Sequence, residues 1–179
     1  MLSMLLAFLP APQQTVPATP PSASCEYDDS LLTLSFDAFD QDPKGGWRAL
    51  AERPGCEEAA ADLIYHYRFR MAQLIPLMTW HEAQLRAQAG ADAGAIELMR
   101  QSRKPDDADP TGWNPYVDAT IAFLRKDKPA FLAARERLRV LPKPVDQPKE
   151  RAWPPNGHVI ERLWKCFDQS YEVAYSSAC

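Results

Sequence analysis

The chain has 179 residues, enough for one domain with a buried core and short for two. Twenty Lys and Arg against 24 Asp and Glu leave a net charge of −4, which excludes a globally basic nucleic-acid binder, and 46% apolar residues exclude wholesale disorder. Val, Ile and Thr number 6, 5 and 6 against 26 Ala, too few β-branched residues for sheet, so the expected class is all-α.

Prolines punctuate this helical chain. Ten of the 17 fall in two windows, Pro10 to Pro21 and Pro142 to Pro155. The first window follows nine mostly apolar residues, far short of the about 20 that cross a bilayer. Residues 1–24 read as a secretory signal with cleavage after Ala18, or as a disordered tail with an apolar tip. The signal reading lacks a basic n-region, since the first Lys or Arg is Lys44. A single domain then runs over 25–179.

Its first element is a short helix over 30–41, with Leu32, Phe36 and Phe39 on one face and Asp29 or Ser30 as cap. Asp42-Pro43-Lys44-Gly45-Gly46 ends it. Leu63, Ile64 and Tyr67 mark the inner face of a helix from about Glu57 to Met71, behind the turn Pro54-Gly55. Leu77, Trp80 and Leu85 mark the next helix. Ala95, Ile96 and Met99 mark the one after the turn Gly90-Ala91-Asp92. Tyr116, Val117, Thr120, Ile121 and Leu124 predict a further helix. Phe131, Ala134 and Leu138 predict its partner, capped by Asp127 with Pro129 in the first turn. A proline-rich connector over 142–155 leads to a capping helix over 156–176. Asn156 is its expected cap, Ile160, Leu163, Trp164 and Phe167 form its apolar face, and Tyr171, Val173, Ala174 and Tyr175 follow as a short final turn or helix.

Four cysteines allow three pairings. Cys25–Cys56 and Cys166–Cys179 is the favoured one, because each bridge ties a terminal segment to the nearest helix. The alternative is four reduced thiols in a cytoplasmic protein. If Cys166 and Cys179 pair, the chain must fold back near Ser170, since a continuous helix holds them roughly 20 Å apart. Scattered cysteines in a chain with a possible leader point to a periplasmic or secreted location.

Trp47, Trp80 and Trp113 are spaced by 33 residues, and Pro76, Pro110 and Pro142 trail them at 29, 30 and 29. With one turn inside each interval, the units 45–76, 77–110 and 111–142 read as helix–turn–helix repeats. The pattern resembles the tetratricopeptide repeat in its Trp and closing Pro, and in Trp47-x2-Leu50-Ala51. Gln84 and Val117 depart from the small residue expected in the second and third units.

The resemblance implies an α-solenoid of antiparallel helix pairs, whose leading helices line a concave groove for a protein or peptide. Carried onto this chain, the groove positions are Arg48 and Glu52, then Met78, His81, Leu85 and Gln88, then Thr111, Asn114, Asp118 and Ile121. The tryptophans are then packing residues between helices.

Motifs for chemistry are absent from the sequence. It holds no Gly-x-Ser-x-Gly, no phosphate loop, no His-Glu-x-x-His and no clustered Cys/His set for zinc. Neither a cofactor nor a metal is expected, and catalysis is not. The competing readings are an immunity or inhibitor protein with one cognate partner, or a small enzyme built around His66 or His81. Charge is asymmetric: residues 1–99 carry 6 basic and 13 acidic groups, residues 100–179 carry 14 and 11. Arg125, Lys126, Lys128, Arg135, Arg137 and Arg139 concentrate the excess, either as a solvated face or as a landing site for an acidic partner. A protein-binding module of the bacterial cell envelope is the expected role.

Overall fold

A computed structural model describes residues 24–179 apart from 73, 74, 149, 151, 177 and 178. The signal or tail over 1–24 therefore lies, but for Ser24, outside the described residues. Those residues form eight α-helices and no strand, as the shortage of β-branched side chains requires.

The segment before the first hairpin is not one α-helix but a tight 3-10 turn followed by a wider π-helical one. Asp28 accepts from the Ser30 amide at 2.7 Å and opens a 3-10 turn, Asp29–Thr33, and a π-helical turn follows over Asp37–Gln41. The apolar spacing is right, but the two turns are separate because Leu34 adopts an extended backbone between them. Its carbonyl is thereby free to accept from the Tyr67 hydroxyl at 2.9 Å. Phe39 stacks on the same Tyr67 ring, with centroids 3.7 Å apart.

Three helix hairpins follow. The first joins α1, Gly46–Ala51, to α2, Glu57–Met71, and the second joins α3, Pro76–Gln88, to α4, Asp92–Gln101. The third joins α5, Trp113–Leu124, to α6, Lys128–Arg139. Loops of three to five residues hold each pair antiparallel and in extensive contact. Local chemistry explains the ends. In α2, Glu57 and Glu58 open the helix and Arg68 and Arg70 close it, matching the helix dipole. Pro76 sits at the start of α3, where its missing N–H costs nothing. Asp127 caps α6 by accepting from the Ala130 amide at 3.0 Å. For α5 the carboxylate of Asp109 reaches forward to the amides of Trp113 and Asn114, at 2.7 and 2.6 Å.

The equal tryptophan spacing does not become an equal place in the helices. Trp47 is the second residue of α1, Trp80 the fifth of α3 and Trp113 the first of α5. Trp47 and Trp80 are buried, while Trp113 is half-buried at the mouth of its hairpin. Hairpin lengths differ accordingly, with α1 only half as long as α3.

Two apolar clusters meet at α3. Met78 and Leu85 face one cluster with Phe39, Trp47, Leu50, Leu63, Ile64 and Tyr67. Trp80, Ala83 and Ala87 face the other, shared with Tyr116, Phe123, Phe131 and Leu138. Charges stitch α2 to α3 beside this wall. Buried Glu82 pairs with Arg68, and Arg86 bridges to Asp62 at 2.6 Å and toward Glu82 at 3.7 Å. Burial pushes the Glu82 carboxyl above its ordinary range, and the two guanidinium groups oppose that without cancelling it.

The capping segment over 156–176 is α7, Gly157–Lys165, followed by the short final helix α8, Tyr171–Ser176, at the place expected for it. The break falls where the Cys166–Cys179 pairing demanded one: Ser170 starts α8, its hydroxyl accepting from the Val173 amide at 3.3 Å. Asn156 is not a side-chain cap for α7. It adopts a left-handed backbone (φ 62°) with no capping hydrogen bond. Lys126 locks the turn between α7 and α8, donating to the carbonyls of Phe167 (2.8 Å) and Gln169 (2.5 Å).

Both favoured cysteine pairs are at bonding distance, with Cα separations of 5.3 Å for Cys25–Cys56 and 5.9 Å for Cys166–Cys179. Closing loops of 31 and 13 residues stabilises by roughly 3 kcal/mol each in the chain-entropy model. Peptide mapping of unreduced protein from its native host is expected to yield both linked peptide pairs. Four alkylatable thiols would remove this support for an oxidising compartment.

Candidate functional site

The positions implied by the repeat resemblance do not form one open groove. Helix α8 packs on α3 and α7 packs on α5, so Tyr171, Ala174, Val159, Ile160 and Leu163 share the core of Trp80, Ala83, Tyr116 and Ala119. The chain's own C-terminus covers the faces of α3 and α5 that carry these residues. Met78 and Leu85 are buried against α2. Glu52 and Thr111 are exposed, and Gln88 is half-buried beside Gly90 and Tyr171. Asn114 is buried and holds the 102–109 loop. Its carboxamide oxygen accepts from the Lys104 amide, and its nitrogen donates to Lys104 O, both at 2.9 Å, and to Asp106 at 3.1 Å.

Arg48 and His81 do come together, but around a buried carboxylate. Asp40 is fully buried between the π-helical turn, α1 and α3. It accepts from the Trp47 indole at 2.9 Å and meets Nδ1 of His81 at 2.7 Å, while Gln41 donates to its other oxygen. The Arg48 Nε donates to the Asp40 main-chain carbonyl at 3.0 Å, its guanidinium 4.0 Å from the centre of the Trp47 ring. Burial pushes the Asp40 carboxyl up, and its hydrogen bond to His81, the charge of that ring and the bonds from Trp47 and Gln41 together hold it below its usual range. This is a junction that fastens the N-terminal segment to α1 and α3. His66 and His158 are exposed. Among the described residues no three His, Cys, Asp or Glu side chains are grouped to hold a metal ion.

The remaining groove residues, Asp118 and Ile121, line a cavity of about 330 Å³ between α4, α5 and α6. Ile121, Ala122 and the exposed Ala130 are its apolar lining, and Arg100, Arg103, Arg125, Asp118 and Asp127 its charged lining. The acids are engaged. Asp118 pairs with Arg103 and, at 3.0 Å, with Arg137, and Asp127 is the α6 cap. The hydrogen bond to Asp118 is the main cause that makes the Arg103 guanidinium hold its proton more tightly than usual. Arg100 pairs with Glu97 at 3.2 Å on the outer face of α4. Arg125 is exposed at the cavity edge and has no carboxylate partner among the described residues.

No family model, no curated protein and no solved structure matches this chain. Function therefore rests on the site itself.

The basic stretch contributes less free charge than its composition implies. Arg135 makes a two-pronged bond to Glu161 at 2.8 and 2.6 Å, Arg139 pairs with Glu136, and Lys128 lies 3.4 Å from Asp168. With Arg137 on Asp118 and Lys126 on two carbonyls, Arg125 alone of these six is uncommitted among the described residues. Arg100 and Arg103 carry no sequence signal as site residues. They reach Arg125 only because the second and third hairpins pack side by side. Among the described residues no helix is long and apolar enough to cross a membrane.

Proposed function

We propose that this protein is a partner-binding module that takes an acidic protein or peptide segment into the arginine-lined cavity, in the bacterial cell envelope. The observation that carries the reading is Arg125, uncommitted beside two further guanidinium groups in a cavity that Ile121, Ala122 and Ala130 also line. Guanidinium groups bind carboxylates through paired, charge-assisted hydrogen bonds, and Ile121 and Ala130 offer apolar contact for a side-chain stem. The helix-hairpin framework supports the reading, in the manner of tetratricopeptide-like superhelices. That likeness lies in the three hairpins and not in tryptophan register. Two cysteine pairs at bonding distance support export.

Short Glu- and Asp-rich peptides are expected to bind with an affinity that falls as salt rises. Arg125→Ala is expected to weaken them about tenfold, near 1.4 kcal/mol. Arg139→Ala, at an intrahelical pair outside the cavity, serves as the control. Equal losses from both substitutions reduce the effect to general charge and remove the site. His81→Ala and Asn114→Ala are unsuitable probes, because both residues hold the fold together.

A further inference from the structure

We infer that the cleft between Trp113 and Trp153 is a binding site for a saccharide unit. The cleft has a volume of about 390 Å³, inside the range of about 300–1,000 Å³ typical of small-molecule sites. It lies where the proline-rich connector passes over the start of α5 and the entry to α7. Trp113 and Trp153 line it together with Thr111, Gln147, Asn156 and His158.

Three observations define the ligand. First, both indole N–H groups are spent within the protein: Trp113 donates to Ser102 O at 2.8 Å and Trp153 to Leu141 O at 2.9 Å. Those bonds fix both rings and leave only their carbon surfaces for the cleft, as suits the C–H faces of a sugar ring. Second, the side chains of Thr111, Gln147, Asn156 and His158 make no hydrogen bond among the described residues. Thr111 and His158 are exposed and Gln147 and Asn156 half-buried, so all four are within reach of a ligand entering from solvent. A hydroxyl, two carboxamides and an imidazole can both donate and accept, which matches the two-way hydrogen bonding of sugar hydroxyls. Third, the described lining of the cleft carries no Asp, Glu, Lys or Arg, while the Lys104 ammonium lies 5.9 Å from the centre of the Trp113 ring.

The test uses the full chain labelled with 5-fluorotryptophan and observed by fluorine NMR, with resonances assigned through single Trp→Phe variants. N,N′-Diacetylchitobiose and maltose are the probes. The Trp113 and Trp153 resonances are expected to move saturably with one shared dissociation constant, and Trp47, sealed in the other core, to stay in place. Gln147→Ala is expected to weaken binding about fivefold, the effect of one lost hydrogen bond, with an unchanged unfolding curve. The inference is overturned if neither sugar moves both resonances saturably, if Trp47 moves with them, or if Gln147→Ala leaves affinity unchanged. Saturation only by a proline-rich peptide of residues 10–21 overturns it too, and makes the cleft a polyproline groove instead.

Discussion

Replacing Gly46 by alanine is expected to destabilise the protein by about 3 kcal/mol or more, or to prevent folding of its N-terminal part. Gly46 begins α1 with φ of +53°, in the left-handed region, which costs a residue with a β-carbon about 1–2 kcal/mol. Sterics add to this. A β-carbon there would overlap the carbonyl oxygen of Phe39 and lie 2.6 Å from its carbon and 2.8 Å from its Cα. The obstacle is main chain that cannot rotate away, so the π-helical turn must separate from α1, and such overpacking costs about 1–3 kcal/mol more. Phe39 and Asp40 would then leave their places against Tyr67 and His81.

Two glycines isolate the cause. Gly55 has φ of +80° but open space around it, so Gly55→Ala should cost about 1 kcal/mol from backbone strain alone. Gly94 lies inside α4, also in open space, and Gly94→Ala should stabilise by about 0.5–1 kcal/mol. Urea unfolding of the three variants checks the order. Equal costs at Gly46 and Gly55 would show that the Phe39 contact does not constrain the junction.

Asp40→Ala is expected to cost about 3 kcal/mol, because it strands the Trp47 indole and the His81 ring in a buried place. The loss should depend on pH. The Asp40 carboxyl is held below its ordinary value in the folded chain. Its contribution is therefore complete above the unfolded aspartate value near 3.9 and is lost as pH falls through the lower folded value. The stability difference between wild type and Asp40→Ala should accordingly narrow on acidification below about pH 4. Glu82 acts with the opposite sign. Its carboxyl is raised in the folded chain, so protonation favours folding, and this acts equally in both proteins. Chemical unfolding at a series of pH values measures the difference. A gap that stays constant through the acid range would mean that Trp47 and His81 do not depend on the ionised carboxylate.

Much of the secondary structure is legible in the residues themselves. The helix from Glu57 to Met71 is found at the expected bounds, because its apolar spacing, acidic start and basic end are all local signals. The Asp127 cap and the fold-back near Ser170 are equally local. The 33-residue tryptophan interval is also plain in the chain, yet Trp47, Trp80 and Trp113 occupy different turns of their helices. Spacing along a chain counts residues, whereas helical position depends on where each helix starts. Those starts are set by Gly46, Pro76 and Asp109, which do not repeat.

The composition that excluded sheet and disorder thus determined the helical class, and local spacing the main helices; of the three cysteine pairings the sequence allows, the structure brings the favoured one within bonding distance. Only tertiary structure decided the sites. Asp40 and His81 stand 41 residues apart and Arg103 and Asp118 stand 15 apart, and no local pattern states that they meet. Periodicity shows that a helix has an apolar face but not which partner covers it. Here α7 and α8 return over α5 and α3, because burying their own apolar faces there removes more surface from water than leaving a groove open. That return covers the faces on which the expected groove would lie, and the arginine cavity and the tryptophan cleft are where we propose that ligands bind.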